Sequence, residues 1–261
     1  MTLNVTYSLA AVLLVSALSF IGALTLTLRE KVLDDFLFVF VSFAAGGILG
    51  SAYLDLVPEA IHLIGSGQAL ALQVLGFTVF FLLERLVYWF HGHGHGNAHG
   101  VHISSDDSRI KVKRYVYLNL VGDAVHNAMD GVVIASSFFA GVASGLATTA
   151  AVIFHEIPQE MGDFAILVHG GISKMRALGL NFVTAATSVL GAVCAYVFLS
   201  PTESQLGTVL AFMGGGFVYL SASELIPEIR REENIVKSSI QFAFFSAGLA
   251  FIWLVIRGLP E

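Results

Sequence analysis

The segment His126-Asn127-Ala128-Met129-Asp130-Gly131 and its echo His155-Glu156-Ile157-Pro158-Gln159-Glu160 decide how the chain is read. Each lies near the middle of a long apolar run. On a helix, residues four apart share a face. His126 therefore aligns with Asp130, and His155 with Gln159. Asn127 and Glu156 each stand one residue further round. Ionisable groups at the centre of a membrane span are costly and mark function. Here several gather on two consecutive spans. They read as one metal-ligand cluster built from His126, Asn127, Asp130, His155, Glu156, Gln159 and Glu160.

Composition agrees with that setting. The chain has 261 residues, 56% hydrophobic and 12% charged, against roughly 25% charged in a soluble domain. It is an integral membrane protein with the lipid bilayer as its first partner. The net charge of -6 is spread over loops. No basic arm or aromatic-basic pattern points to nucleic acid. The one cysteine, Cys194, excludes a disulfide framework and is expected to be a small buried side chain.

Working outward, apolar runs occupy residues 3–28, 36–57, 70–90, 115–139, 144–168, 176–199, 206–227 and 237–257. Each has about the 20 residues that a bilayer crossing needs. In the first run the positive charges Arg29 and Lys31 follow the apolar stretch, whereas a cleaved signal carries them before it. The expectation is an all-α membrane protein with eight transmembrane helices in a single domain, residues 1–261. The loops after spans 1, 3, 5 and 7 hold 11 of the 13 basic residues. Lysine and arginine accumulate on the cytoplasmic side, so both termini are expected outside.

Spans 2 and 7 carry a repeat. Gly46-Gly47 and Gly215-Gly216 are each followed at the same offset by an acid, two aliphatics and Pro-Glu: Asp55-Leu56-Val57-Pro58-Glu59 and Glu224-Leu225-Ile226-Pro227-Glu228. Span 2 runs outward and span 7 inward, so the repeat is inverted, a layout typical of transporters. Spans 1–3 and 6–8 would form the halves, with spans 4 and 5 between them. Asp55 and Glu224 are candidate path residues; Glu59 and Glu228 stand nearer the helix ends. Asp123 and Asp163 are candidate second-layer or path groups.

Residues 91–114 form the loop between spans 3 and 4. His91, His93, His95, His99 and His102 alternate there with glycines and small residues, a composition that forms no packed core and suits flexible metal binding. In the cluster itself, imidazole, carboxylate and amide donors without a thiolate suit Zn(II), and also Fe(II) or Mn(II). Pro158 removes a backbone hydrogen bond beside the cluster and is expected to kink the helix. Irregular backbone at membrane depth belongs where it lines a cavity.

Gly122-Asp123 before His126-Asn127-x-x-Asp130-Gly131, and His155-Glu156-x-Pro158-x-Glu160-x-Gly162-Asp163-Phe164, resemble the ZIP (Zrt/Irt-like) family of divalent metal transporters, closest to its LIV-1 branch. The resemblance covers essentially the whole chain, including the eight runs and the His-rich loop. It implies transport of Zn(II), with Fe(II), Mn(II) and Cd(II) as further candidate substrates, into the cytoplasm, and no cofactor or enzymatic activity. It implies a primary site of His126, Asp130, His155 and Gln159, and a neighbouring one of Asn127, Glu156 and Glu224. It also implies alternating access in which spans 1, 4, 5 and 6 move as a block. Gln159 departs from the pattern, which has His in the LIV-1 branch and a carboxylate elsewhere. A neutral amide is a weaker ligand and does not bridge two cations. A homodimer in a plasma (inner) membrane, bacterial or archaeal because the chain is compact, is the expected setting.

Two other functions fit less of the chain. His155-Glu156-Ile157-Pro158-Gln159 lacks the second histidine of the H-E-x-x-H hydrolase motif, and a hydrolase needs no inverted repeat. A metal sensor would need a signalling domain, which the short loops do not supply.

Overall fold

The computed structural model describes residues 2–26, 30–91, 114–198, 202–230 and 232–258. These are helical, with no strand among them. The expected tract His93, His95, His99 and His102 lies outside the described residues, as does the side chain of His91.

The chain forms α1 (Thr2–Ala17), a 3-10 segment (Leu18–Leu26), α2 (Glu30–Ser51), α3 (Val57–Ile64), α4 (Ser66–His91), α5 (Arg114–Ala140), α6 (Val142–His169), α7 (Lys174–Ala185), α8 (Thr187–Phe198), α9 (Glu203–Leu220), α10 (Ile226–Ile229) and α11 (Ile235–Gly258). Six stretches are long and apolar enough to cross a membrane: Asn4–Ala23, Asp35–Ile64, Ser66–Leu86, Lys174–Phe198, Glu203–Ile229 and Ile235–Gly258. The protein is thus a multi-pass membrane protein. The two long helices outside that set are α5 and α6. They are the ones that carry the ionisable cluster, whose polarity lowers the apolar character that defines a span.

Two departures from straight helix stand at matching places. α2 passes into α3 through a π turn, Ala52–Leu56, and α9 passes into α10 through another, Ser221–Leu225. Each is followed by one aliphatic residue and then Pro58 or Pro227. Proline has no N–H to continue the ladder, and its ring crowds the carbonyl four residues back. A π turn widens the helix at that point.

Helix packing repeats the same correspondence. A Cβ on Gly46 would fall on the Phe245 carbonyl, and one on Gly248 on the Phe43 carbonyl, so α2 and α11 touch backbone to backbone. In α4 and α9, Gly76 meets the Phe212 carbonyl and Gly215 meets that of Gln73. Lipid tails give no hydrophobic drive between helices, so small residues that let backbones approach supply the attraction. Ile48, Leu56, Ile134, Phe138, Val152, Leu210, Phe217 and Ile252 fill the centre where these pairs meet α5 and α6.

The run 176–199 holds as one apolar stretch, Lys174–Phe198, built of two helices: α7 ends at Ala185 and α8 begins at Thr187. One expectation is corrected. Cys194 is exposed rather than buried; α8 packs on α5 through Gly191, three residues away, where a Cβ would fall on the Ala128 carbonyl.

Candidate metal centre

Spacing of three and four brings Asp123, His126, Asn127 and Asp130 to one side of α5. The same spacing gathers His155, Glu156, Gln159, Glu160 and Asp163 on α6. Gly131 pins α5 to α8, since a Cβ there would fall on the Ser188 carbonyl. The polar side of α5 is thereby turned toward α6. α6 runs as one helix through Pro158.

Four side chains converge. His155 Nε2 stands 3.1 Å from Asp130 Oδ2 and 3.5 Å from Glu156 Oε1. His126 Nε2 stands 3.4 Å from Glu156 Oε1 and 3.7 Å from Asp130 Oδ2. The two Nε2 atoms are 3.2 Å apart, and one ligand atom from each of the four residues lies within 4.8 Å of every other. Asp130, His155 and Glu156 are buried. His126 keeps 18% of its side chain accessible. His155 Nδ1 lies 3.1 Å from the Ala151 carbonyl. Donation of Nδ1–H to that carbonyl turns the Nε2 lone pair toward the centre, as the outer hydrogen bond of a metal-binding histidine does.

Two imidazoles and two carboxylates are a suitable donor set for Zn(II) and its neighbours. With neutral histidines the set carries two negative charges. Residues 115–169 contain no Lys or Arg to balance them. Buried charges are paired or coordinate metals, so the chemistry of the pocket is that of a divalent cation.

The remaining candidates fall elsewhere. Gln159 lies beside the four: its Nε2 donates to Asp123 Oδ1 at 3.4 Å, and Asn127 Nδ2 donates to the same oxygen at 2.8 Å. Glu160 faces α7, where Asn181 Nδ2 donates to its Oε2, and Asn119 Nδ2 donates to Asp163 Oδ1 at 2.8 Å. Asp55 lies near the other end of α6, accepting from Ser144 Oγ at 2.9 Å, with Thr148 Oγ1 at 3.4 Å. Glu59 is half-buried on the first turn of α3, and Glu228 is exposed on that of α10. Glu224 is part of the second π turn; its side chain lies outside those described.

A cavity of about 500 Å³ opens on the cluster. It reaches from His126, His155 and Gln159 to Asn119, Asp163 and Glu84. The last three stand near the ends of α4, α5 and α6 that adjoin the basic loops. Glu84 accepts from the Tyr219 hydroxyl. The sequence reading missed Glu84, Asn119 and Asn181. Their signal was there: one acid and two amides inside apolar runs.

The sequence profile described as "ZIP Zinc transporter" matches residues 2–113 and 90–256. The chain belongs to the ZIP family. Among its relatives are Zinc transporter zipt-7.1 of Caenorhabditis briggsae, 32% identical over 244 residues (74% of this chain, 62% of the relative), and Zinc transporter SLC39A7 of Mus musculus, 29% identical over 329 residues (95% and 69%). A third is Zinc transporter ZIP13 of Pongo abelii, 33% identical over 229 residues (82% and 65%). SLC39A7 and ZIP13 are members of the LIV-1 branch. This ZIP protein spans about two thirds of the length of the relatives it matches. All three relatives are named as zinc transporters.

Proposed function

We propose that this ZIP protein carries Zn(II) across a plasma (inner) membrane into the cytoplasm, holding it on His126, Asp130, His155 and Glu156. Fe(II), Mn(II) and Cd(II) are secondary substrates on the same donors. The observation that carries the reading is the convergence of four donors, three of them buried, within 4.8 Å beside a cavity that His126 and His155 line. The relatives' zinc-transporter names support the metal.

The chain crosses the bilayer eight times, with α5 and α6 as spans 4 and 5 and both termini outside. The placement of 11 of 13 basic residues supports this orientation. Spans 1–3 and 6–8 are inverted repeats; the paired π turns and paired glycine contacts support that relation. The cavity then faces the cytoplasm, and the conformation is inward-open. A cation sheds its water at the cluster, where two imidazoles and two carboxylates replace it, and leaves past Asp163 and Glu84. Asp55 stands on the sealed outer side.

The test is Zn(II) uptake by the full chain in sealed proteoliposomes. His126→Ala, Asp130→Ala and His155→Ala are each expected to lower uptake about 100-fold while insertion persists, because loss of a ligand costs at least what loss of its supporting group does. Near-normal uptake in all three would refute the site. Orientation has its own check, in a Cys194→Ser background because Cys194 is exposed. Cysteines at Thr2 and Ser104 should react with an impermeant reagent from opposite faces.

A further inference from the structure

On the far side of α5 from the metal cavity lies a groove of about 570 Å³ between α5 and α8. Val121, Val125 and Met129 line both the groove and the cavity. They are spaced by four, so they form one edge along α5. Asp123 and His126 stand on the cavity side of that edge, Ala124 and Ala128 on the groove side. The floor of the groove is where the two backbones meet, since a Cβ on Gly191 would fall on the Ala128 carbonyl. Its rim is branched and open: Val121 is 61% exposed and Leu190 63%.

The groove offers no free polar group. Thr187 supplies its one hydroxyl, and that Oγ1 stands 2.6 Å from both the Ala124 and the Thr184 carbonyl. Cys194, also on the rim, is exposed and behaves as a small apolar group. The other lining residues are aliphatic, methionine or glycine.

What covers the groove follows from its place. α8 is the second half of the span Lys174–Phe198, and Leu190, Val193 and Val197 stand exposed along it. The groove is therefore continuous with the lipid-facing surface. Helices join in lipid through small residues or polar groups at their interface. Here the small residues are already taken up between α5 and α8, and the hydroxyl is spent on carbonyls. A further helix would meet only the branched rim. A hydrocarbon tail needs neither device. Leu120 to Val132 rises roughly 18 Å at 1.5 Å per residue, close to the roughly 15 Å that the tails of one leaflet fill.

We propose that the groove between α5 and α8 binds one acyl chain of a bilayer phospholipid, lying along the edge of Val121, Val125 and Met129 that walls the metal cavity. The proposal rests on the reading of α5 as a membrane span and is independent of which ion the protein carries. The chain fills the groove from the bilayer side and backs the valines whose other face borders the path of the ion.

The experiment uses the full chain in sealed phosphatidylcholine vesicles that contain a trace of phosphatidylcholine with a photoactivatable diazirine midway along one tail. After irradiation, peptide mass spectrometry is expected to find adducts concentrated on residues 120–132 and 187–194, several-fold above the exposed faces of α4 and α11, and saturating at one per chain. Cys194→Trp, which puts an indole into the groove from its rim, should lower that yield several-fold, and Cys194→Ala should leave it unchanged. Adducts spread evenly over the helices, or an unchanged yield in an inserted Cys194→Trp variant, overturns the proposal. So does a second copy seated on the groove: Cys194 is the one cysteine of the chain, and mild oxidation would then give a disulfide-linked dimer without adducts. Zn(II) uptake by the same vesicles is read separately. Uptake without adducts refutes the acyl-chain site alone, and adducts without uptake refute the carrier reading alone.

Discussion

The helices that bear the site and the helices around them share glycine contacts but differ in the hydrogen bonds that join them. α1 and α5–α8 are tied by hydrogen bonds. Asn4 Nδ2 donates to the Phe138 carbonyl at 3.0 Å, Thr187 Oγ1 to that of Ala124 at 2.6 Å, and Asn181 Nδ2 to that of Glu160 at 3.2 Å, while Ser16 and Ser188 share a bond of 2.9 Å. α2–α4 and α9–α11 instead meet through glycines lying on backbone carbonyls. Both are ways to join helices in lipid. α5 and α8 combine them, because Gly131 and Gly191 also lie on backbone carbonyls, and the outer group has a hydrogen bond of its own, from Ser221 Oγ to the Ala45 carbonyl at 3.1 Å. Hydrogen bonds between helices gather where a charged site must be oriented. Where the two groups touch, Phe154 of α6 packs against Phe40, Phe43 and Phe251. Aromatic contact of this kind sets no polar register. Asp55 with Ser144 is a hydrogen bond across that seam. We propose that α1 and α5–α8 shift together against the frame formed by α2–α4 and α9–α11.

Breaking the frame should have the largest effect. Gly248→Val places a side chain on the Phe43 carbonyl, and is expected to destabilise the chain by about 3 kcal/mol. Thermal unfolding in detergent measures it, and an unchanged midpoint would show that the glycine contacts do not hold the frame. In the hydrogen-bonded group, Asn181→Leu leaves Glu160 buried without its amide donor. The expected loss is about 2 kcal/mol, read by the same melt; a loss as large as that of Gly248→Val would erase the distinction between the two regions.

The seam should respond more weakly and in a different observable. Ser144→Ala removes a bond that is expected to contribute about 1 kcal/mol to the inward state. A cysteine at Ala151, beside His155, should then react several-fold faster with an impermeant reagent added outside, in a Cys194→Ser background. Equal rates would mean that Asp55 and Ser144 do not hold the outer side closed. Smallest of all is the loop. Deleting residues 91–102 should leave Zn(II) uptake within about twofold, since loops tolerate deletion better than the elements they join. Complete loss of uptake in a normally inserted deletion variant would place the histidine tract in the path.

How much of this was legible in the sequence depended on what the period of a helix resolves. Apolar length placed the helices to within a few residues, although it gave no sign of the division at Ala186. His126, Asp130 and His155 could be grouped from spacing alone. That Glu156 stands 3.4 Å from His126 could not. Glu156 and Gln159 lie on adjacent faces of α6, and the rotation of α6 about its axis decides how near each comes to His126. That rotation is set by α5, α2 and α11 together, which no local pattern records. The π turns were likewise hidden, although the equal offsets of Pro58 and Pro227 from the glycine pairs marked their places. Cys194 was misread because an apolar run in a membrane protein has an outside as apolar as its inside.

The central claim is that the transported ion rests on Glu156 with the two histidines, and that Gln159 stands aside. Zn(II) uptake by Glu156→Ala and Gln159→Ala, compared in one sealed-vesicle assay at matched insertion, tests it most directly. Glu156→Ala should lose uptake about 100-fold, as expected when a metal ligand is removed. Gln159→Ala should keep most of the Zn(II) uptake, because its amide donates to Asp123 and not to one of the four cluster residues. The reverse order, with Gln159→Ala inactive and Glu156→Ala near normal, would contradict the account.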